Sequence, residues 1–578
     1  MIDPFRRPTK SALWLLAPLA LFLWACVQLW PHTVDDAYIY VQYAKNQVEG
    51  NGLVFNVGDR VDAMSNYLWV LIMCLGGHLG FDILGWTKTV GVLLGAVQLV
   101  VAWWVARTGL DVLLGPPKEP PPPPKKKKKK DKGPPPAPVP DPAAVLAGRE
   151  ALAVLVPALM VIQPGTAYYA ACGLGTPIFT LLALLGVGLH LADLARHGTP
   201  TSRWCYLPLA FAALSRPEAP LFLVVVAAHR GWLMLGPGKA RAWPEGDAVQ
   251  TSPLKPELLA LGAAIALPVA STLGRIAYFG DFVNTYYCKP STFFQNPTAA
   301  FGYFVDFAAS HGPVLGTVLA VTAVWAFVRT PRWRVPGLFL GIAGAHGAFI
   351  LYSGGDWMAQ FRFFQPLLAL AYVVPVLGIA RRKESRILGI GLALLALLGA
   401  RSVPQFIDDL EGNVVYDHAH RSQRNVEVGQ WMGENLVAGE GLITDEIGAL
   451  GLYSGLFIHD QWGIVDRELA HLFHDTGFNP YNTSPDLPLR TESLARIADI
   501  LVDREPRYAM LDYMGPPPSP DHAFDPRFLN PYTMRELWER MRSEYTLIAS
   551  FPVMEDSDIA GRGKTFLLFE RRDAGWSP

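Results

Sequence analysis

Asp35 and Asp36 form an adjacent carboxylate pair directly after a charge-free apolar run, residues 11–30. That run is long enough to cross a bilayer, and anionic side chains beside hydrocarbon are costly. The pair opens a segment, DDAYIYVQYAKNQVEGNG, with helical spacing up to Glu49, which Asn51-Gly52 then breaks. Neighbours on a helix diverge by about 100°, so the two aspartates point to different targets. One can take a proton from a reacting hydroxyl while the other orients a neighbour, caps the helix or binds a cation. An N-cap pair is an equally good reading of the spacing, because Asp is favoured there and complements the helix dipole. Asp59 and Asp62 read as solvated loop charges.

Three further segments carry usable chemistry. The first, GDFVNTYYCK at 280–289, presents Asp281, Asn284, Tyr287 and Lys289, a mixture suited to a sugar and a phosphate. An aromatic belt at a membrane interface would use the same residue types. The second is Gly354-Gly355-Asp356-Trp357 with Arg362: paired glycines permit a tight backbone, Trp can stack on a sugar ring, and Arg forks onto phosphate. A structural ion pair between Asp356 and Arg362 is the plainer reading. In the third, Arg216-Pro217-Glu218, a mutual salt bridge stabilising a helix break competes with substrate contact. His471, His474 and Asp475, like His418 and His420, lack a metal-ligand spacing and read as surface groups. There is no P-loop, GxGxxG after a strand, GxSxG or HExxH.

The elements that must position these residues follow from composition. Of 578 residues, 51% are hydrophobic and 17% charged, well short of the roughly 25% charge usual in soluble domains. Mean hydropathy is +0.23. Repeated apolar stretches of membrane length define a polytopic α-helical membrane protein. The first run has no small-residue cleavage site and is expected to be a retained helix. The net charge of −1 exerts no pull toward nucleic acid. Cys26, Cys74, Cys172, Cys205 and Cys288 are scattered and imply neither disulfides nor zinc.

Charge sets the expected topology. Residues 116–142, PPKEPPPPPKKKKKKDKGPPPAPVPDP, are denied regular structure by proline and self-repulsion, so 108–148 is expected to be a disordered cytoplasmic loop. Walking from that anchor gives about 11 spans, near 11–30, 86–107, 149–163, 176–195, 203–214, 219–235, 256–279, 312–328, 336–352, 365–380 and 387–401. Residues 66–80 fit the alternation only as a juxtamembrane or re-entrant helix. Residues 1–403 then form the membrane domain, and 404–578 a soluble α/β domain on the outer side, with helices near 426–436 and 491–504 and strands near 441–444, 508–511, 545–553 and 565–570. All the polar motifs fall on that outer face, the exterior of a bacterial cytoplasmic membrane. No ATP or nucleotide-sugar pool exists there, so a transferase would need a lipid-carried donor.

These motifs resemble the GT-C superfamily of polytopic glycosyltransferases, and within it the mycobacterial terminal β-(1→2)-arabinofuranosyltransferases. The resemblance is carried in order by the 35–69 segment, Ser215–Glu218, 280–289, and GGDWMAQFRFFQP at 354–366, with a looser match at 448–466, GALGLYSGLFIHDQWGIVD. It implies a GT-C-like membrane domain that moves a sugar, arabinofuranose or a similar pentose or hexose, from a polyprenyl-phosphate donor to an envelope glycan or other acceptor. Asp35 and Asp36 would be catalytic, with Asp35 preferred as the base in an inverting reaction. Lys289 and Arg362 would offset charge on the departing phosphate, and Asn284, Tyr287, Asp356 and Trp357 would position sugar hydroxyls, with Arg216, Glu218 and Asp281 beside them. Adjacent aspartates suit both metal-dependent and metal-free members, so no cofactor is fixed. One departure stands out: where relatives often carry an acid in a Gly-Leu-Glu-Thr-like segment, this chain has Gly175. A lipid or solute transporter and a non-catalytic assembly protein are the competing classes. Scarce mid-helix charge and the lack of paired broken helices count against transport.

Overall fold

The computed structural model describes residues 3–115, 117, 141–235, 253–282, 284, 285, 288, 297–310, 334–356, 358, 360–380, 414–478, 488–514, 518, 524–529, 534–554 and 564–572. The first half is helical: α1 (Leu16–Leu29), α2 (Asp35–Val48), α3 (Tyr67–His78), α4 (Ile83–Leu114), α5 (Pro142–Ala153), α6 (Leu155–Val161), α7 (Pro164–Ala171) and α8 (Thr176–His197). Then come α9 (Tyr206–Ala212), α10 (Pro220–Leu235), α11 (Leu254–Phe279), α12 (Pro297–Ser310), α13 (Arg334–Ser353) and α14 (Gln365–Ala380). The carboxyl-terminal part alternates helices and strands: α15 (Val414–Asn435), β1 (Gly441–Thr444), α16 (Gly448–Ser454), β2 (Phe457–Asp460) and α17 (Arg467–Thr476). It closes with α18 (Pro488–Asp503), β3 (Tyr508–Tyr513), α19 (Met534–Met541), β4 (Tyr545–Met554) and β5 (Lys564–Arg571).

Among the described residues, five helical stretches are long and apolar enough to cross a membrane: Lys10–Leu29, Ile83–Leu114, Pro142–Val161, Thr176–His197 and Leu254–Phe279. Four apolar helices are shorter, among them Tyr67–His78, whose twelve residues extend about 18 Å. The expected span at 203–214 is a seven-residue helix, α9, about 10 Å long and too short to cross. Those at 312–328 and 387–401 lie outside the described residues. Both ends of the stretch 108–148, expected to be a disordered loop, are helical: α4 continues to Leu114 and α5 begins at Pro142, capped by Asp141; most of the residues between lie outside the described ones. The five cysteines are buried and form no disulfide.

Helix α4 organises the bundle. A Cβ at Gly91 would lie 2.4 Å from the Ala170 carbonyl oxygen, and one at Gly95 2.6 Å from the Phe22 ring. These two small residues, four apart, let α7 and α1 approach closely. At one end of α4, Lys88 donates to the Trp30 and His32 carbonyls and to Thr33, closing the end of α1 and aiming the chain into Asp35. At the other end, Arg6 and Arg149 pair with Asp111, and Arg107 pairs with Glu150. The 32 residues of α4 separate the two ends by about 48 Å. Asp35 and Asp36 therefore sit at the opposite end of the bundle from the helix ends that flank the Pro/Lys segment.

The five-stranded sheet has the order β2-β1-β3-β5-β4. Strands β2, β1 and β3 are parallel, whereas β5 pairs antiparallel with β3 and β4. Strand β2 is not among the strands expected from the sequence. Strand β3 is buried throughout, and its side chains alternate in destination. Tyr508 and Met510 join the core that also contains α2 and the membrane helices. Ala509, Leu511 and Tyr513 face a second core with α17, α18 and α19. The period of two thus fuses one face of the sheet to the bundle.

Candidate functional site

Helix α2 begins at Asp35, after the amide of Val34 donates to the Cys172 carbonyl at 3.2 Å. The two aspartates diverge as helical neighbours must. Asp35 turns to the carboxyl-terminal sheet region. Its carboxylate accepts from the Gly448 and Ala449 amides at 3.0 and 3.1 Å and from the Asn425 side chain at 3.1 Å. Gly448 and Ala449 open α16, so Asp35 caps the start of a helix more than 400 residues away. A Cβ at Gly448 would lie 2.1 Å from the Asp35 carbonyl oxygen, so only glycine fits. Asn425 also donates to Glu446 at 3.3 Å. Among the described residues, Asp445, Glu446 and Asp512 each bring an oxygen within 4.8 Å of the others, a carboxylate set that could hold a cation.

Asp36 turns inward. It acts electrostatically on two phenols, Tyr40 and Tyr168, and Arg362 acts on both as well. Tyr40 lies one turn beyond Asp36, and its hydroxyl pairs with Ser65 at 2.5 Å. Burial pushes both phenols above their ordinary range, so each is a neutral hydroxyl able to donate. Arg362 grips Asp356 with two bonds, 2.7 and 3.1 Å, and this pair also acts on Tyr303. Arg216 pairs with Glu218 at 2.5 Å. Both guanidinium groups lie over the Phe363 ring, at 5.2 and 5.5 Å, which joins the 215–218 and 354–366 motifs into one wall. The backbone there is strained. Gln360 and Phe361 have φ of 61° and 52°, a region costing about 1–3 kcal/mol per side-chain-bearing residue and concentrated at functional sites. Gly355, at φ 87°, lies against the Tyr303 ring, where a Cβ would approach to 2.5 Å.

The structure thus brings Asp36, Arg216, Glu218, Asp356 and Arg362 together. Two further expected substrate contacts have protein partners of their own. Asn284 donates to Asp62 at 3.0 Å, alongside a two-bond clamp from Arg275 at 2.9 and 2.6 Å. Asp62 is therefore buried and paired, not a solvated loop charge. Asp281 pairs with His471 at 2.8 Å, a bond between the bundle and the carboxyl-terminal sheet region. Tyr287, Lys289 and Trp357 lie outside the described residues, as do His418 and His420 in their side chains. Sequence reasoning missed Tyr40, Tyr168, Phe363 and Asn425. Tyr40 had a signal, because it shares a helix face with Asp36 at i+4. The others owe their places to tertiary packing. The Gly175 departure also has a cause: a Cβ there would lie 2.3 Å from Asn66 and 2.7 Å from Trp69.

Comparison with known proteins bears on the fold first. The archaeal oligosaccharyltransferase AglB from Archaeoglobus fulgidus, solved with an inhibitory peptide and a dolichol-phosphate, superimposes with a TM-score of 0.53 at 11% identity, over 95% of this chain and 80% of that one. The chain shares the fold of that oligosaccharyltransferase. ArnT from Cupriavidus metallidurans, bound to undecaprenyl phosphate, gives 0.49 at 11% identity over 96% and 98% of the two chains. The mycobacterial arabinofuranosyltransferase AftD gives 0.42 at 15% identity over 95% and 41%. In sequence, the terminal β-(1→2)-arabinofuranosyltransferase of Mycobacterium tuberculosis is 38% identical over 74 residues, 12% of each chain. The match therefore spans about an eighth of that relative. Residues 413–569 match a domain of unknown function, DUF8728.

Proposed function

We propose that the protein is an inverting glycosyltransferase that moves a sugar, arabinofuranose or a related pentose or hexose, from a polyprenyl-phosphate donor to an envelope glycan. The reaction would take place on the outer face of a bacterial cytoplasmic membrane. The observation that carries this reading is the convergence of Asp36, the Asp356–Arg362 pair and two neutral phenols on one strained wall of a GT-C bundle. The archaeal neighbour of the same fold was solved with a dolichol-phosphate, and the same donor chemistry is assigned to this chain.

In this reading the base moves from Asp35, preferred on sequence, to Asp36. Asp35 is engaged by three donors that hold the soluble part in place, which suits a positioning role. Asp36 takes the proton of the acceptor hydroxyl as its oxygen attacks the anomeric carbon. The bond from that carbon to the phosphate oxygen breaks, and the electron pair leaves with polyprenyl phosphate, inverting the centre. Arg362 and Arg216, each held by a carboxylate, present oriented guanidinium dipoles to the leaving phosphate. Tyr40 and Tyr168 donate to sugar hydroxyls.

Purified protein incubated with labelled polyprenyl-phosphate sugars and oligosaccharide acceptors tests the assignment. Asp36→Asn should cut release of polyprenyl phosphate by about 10²–10⁴-fold, the scale of a general base, while donor binding persists. Wild-type turnover in that variant removes Asp36 from the mechanism. Absence of turnover in the wild type across pentose and hexose donors removes the reading itself.

A further inference from the structure

A cavity lies between the loop after α2 and the edge strand of the sheet, and none of the wall residues around Asp36 lines it. Its volume is roughly 310 Å³, at the small end of ligand pockets, which run about 300–1,000 Å³. Asp59 comes from the bundle side, and Phe457, His459, Asp466, Arg467 and Arg504 come from the soluble part. Phe457 and His459 are two apart on β2, so their rings project from the same face, with centroids 5.1 Å apart. Arg504 is committed to Asp466 and to Glu468, the latter at 2.7 Å. Arg467 leans on the carbonyls of Arg60 and Phe279.

The chemistry of this lining excludes several occupants. An anion would compete with two carboxylates for guanidinium groups already paired. A divalent cation would meet Arg467 and Arg504. A purely apolar ligand would strand the charged rim. A sugar ring suits it, because its C–H face lies on an aromatic platform while its hydroxyl edge meets acceptors and donors already fixed in direction. His459 fits the same scheme. Burial, with Arg504 beside it, holds its pKa down to about 4, so the imidazole is neutral near pH 7 and can both donate and accept.

We infer that this cavity is an acceptor subsite, which binds one neutral sugar unit of the glycan at a distance from the unit being extended. The inference rests on the transferase reading for its role, and on the cavity alone for its ligand class. Its walls come from both parts of the chain, so an occupied cavity would draw them together. Long acceptors should profit from it and the shortest should not.

The test uses the full chain in detergent or nanodiscs, titrated calorimetrically with ladders of neutral pentofuranosyl and hexopyranosyl oligosaccharides. Phe457→Ala and Asp59→Asn should weaken binding of the longer oligosaccharides, the first by about tenfold, the scale of one lost ring contact. Asp36→Asn should leave this binding intact. In turnover, Phe457→Ala should raise KM for long acceptors, leave kcat unchanged, and leave short acceptors unaffected. Unchanged affinity in both cavity variants overturns the subsite, as does failure of the wild type to bind any ladder. Cavity-dependent binding without any transfer by the wild type would instead overturn the proposed reaction and keep the subsite.

Discussion

The carboxylate of Asp35 caps the helix that begins at Gly448, so a residue read as a catalytic base closes the joint between the start of α2 and the carboxyl-terminal sheet region. Its neighbour Asp36 is thereby held in one orientation. The two residues divide labour as their spacing demanded, with the joint taking the first and the wall the second.

Loss of that joint is measurable. Asp35→Ala removes three bonds to a carboxylate and should weaken docking by about 2–4 kcal/mol, given roughly 1.5–3 kcal/mol for each bond to a charged group, shared and partly exposed. Hydrogen exchange should show faster exchange at the Gly448 and Ala449 amides, with α4 unchanged. Gly448→Ala should do the same from the other side, because its Cβ meets the Asp35 backbone. Unaltered protection in both variants would separate Asp35 from docking.

Restoring an acid at position 175 should not restore anything. Gly175→Glu has no room beside Asn66 and Trp69, and overpacking of this kind costs about 1–3 kcal/mol or more. Thermal unfolding should show a lower midpoint than wild type, and transfer should not rise.

Arg362 is a fork, not a point charge. Arg362→Lys keeps the positive charge but loses one of the two bonds to Asp356. Donor KM should rise and kcat should fall together, and Asp356→Asn should show a milder version of both. A Lys variant with wild-type kinetics would show that only charge matters at this position.

Acid should loosen the β2 edge. The His459 pKa lies near 4 in the folded protein, against about 6.5 unfolded, so the folded state favours the neutral ring. That contribution is complete above pH 6.5 and is lost as pH falls from 6.5 toward 4, by at most about 1.4 kcal/mol per unit. The thermal midpoint of the wild type should fall across that window, and His459→Gln should flatten the dependence.

How much was legible in the sequence depended on the range of the interaction. Apolar runs and the 3.6-residue period are local, so α1, α4, α8 and α11 were readable, as were strands β1, β3, β4 and β5. Strand β2 is as short as β1 but ends in Asp460, a residue depleted in strands, and the seven apolar residues of α9 do not show by themselves whether a helix stops short of a span. The Asp356–Arg362 pair was readable because six residues separate its members. The Asn284–Asp62 bond was not readable, because the residue type suits a sugar as well as it suits Asp62, and nothing local distinguishes the two. Asn425 was invisible, since its value lies in reaching a carboxylate 390 residues earlier in the chain.

Asn56 uses both ends of its side-chain amide on the backbone of Ile458, donating to its carbonyl and accepting from its N–H, each at 2.9 Å. It thus imitates a sixth strand on the open edge of the sheet and shields it from pairing with another chain. The two residues are 402 positions apart, so this edge guard is synthesised well before the strand it covers and finds its edge only when that strand folds. Until then the loop lacks its seat on the sheet and Asp35 lacks the helix it caps. The arrangement makes assembly of the acidic pair a late event, reached only by chains whose sheet has formed.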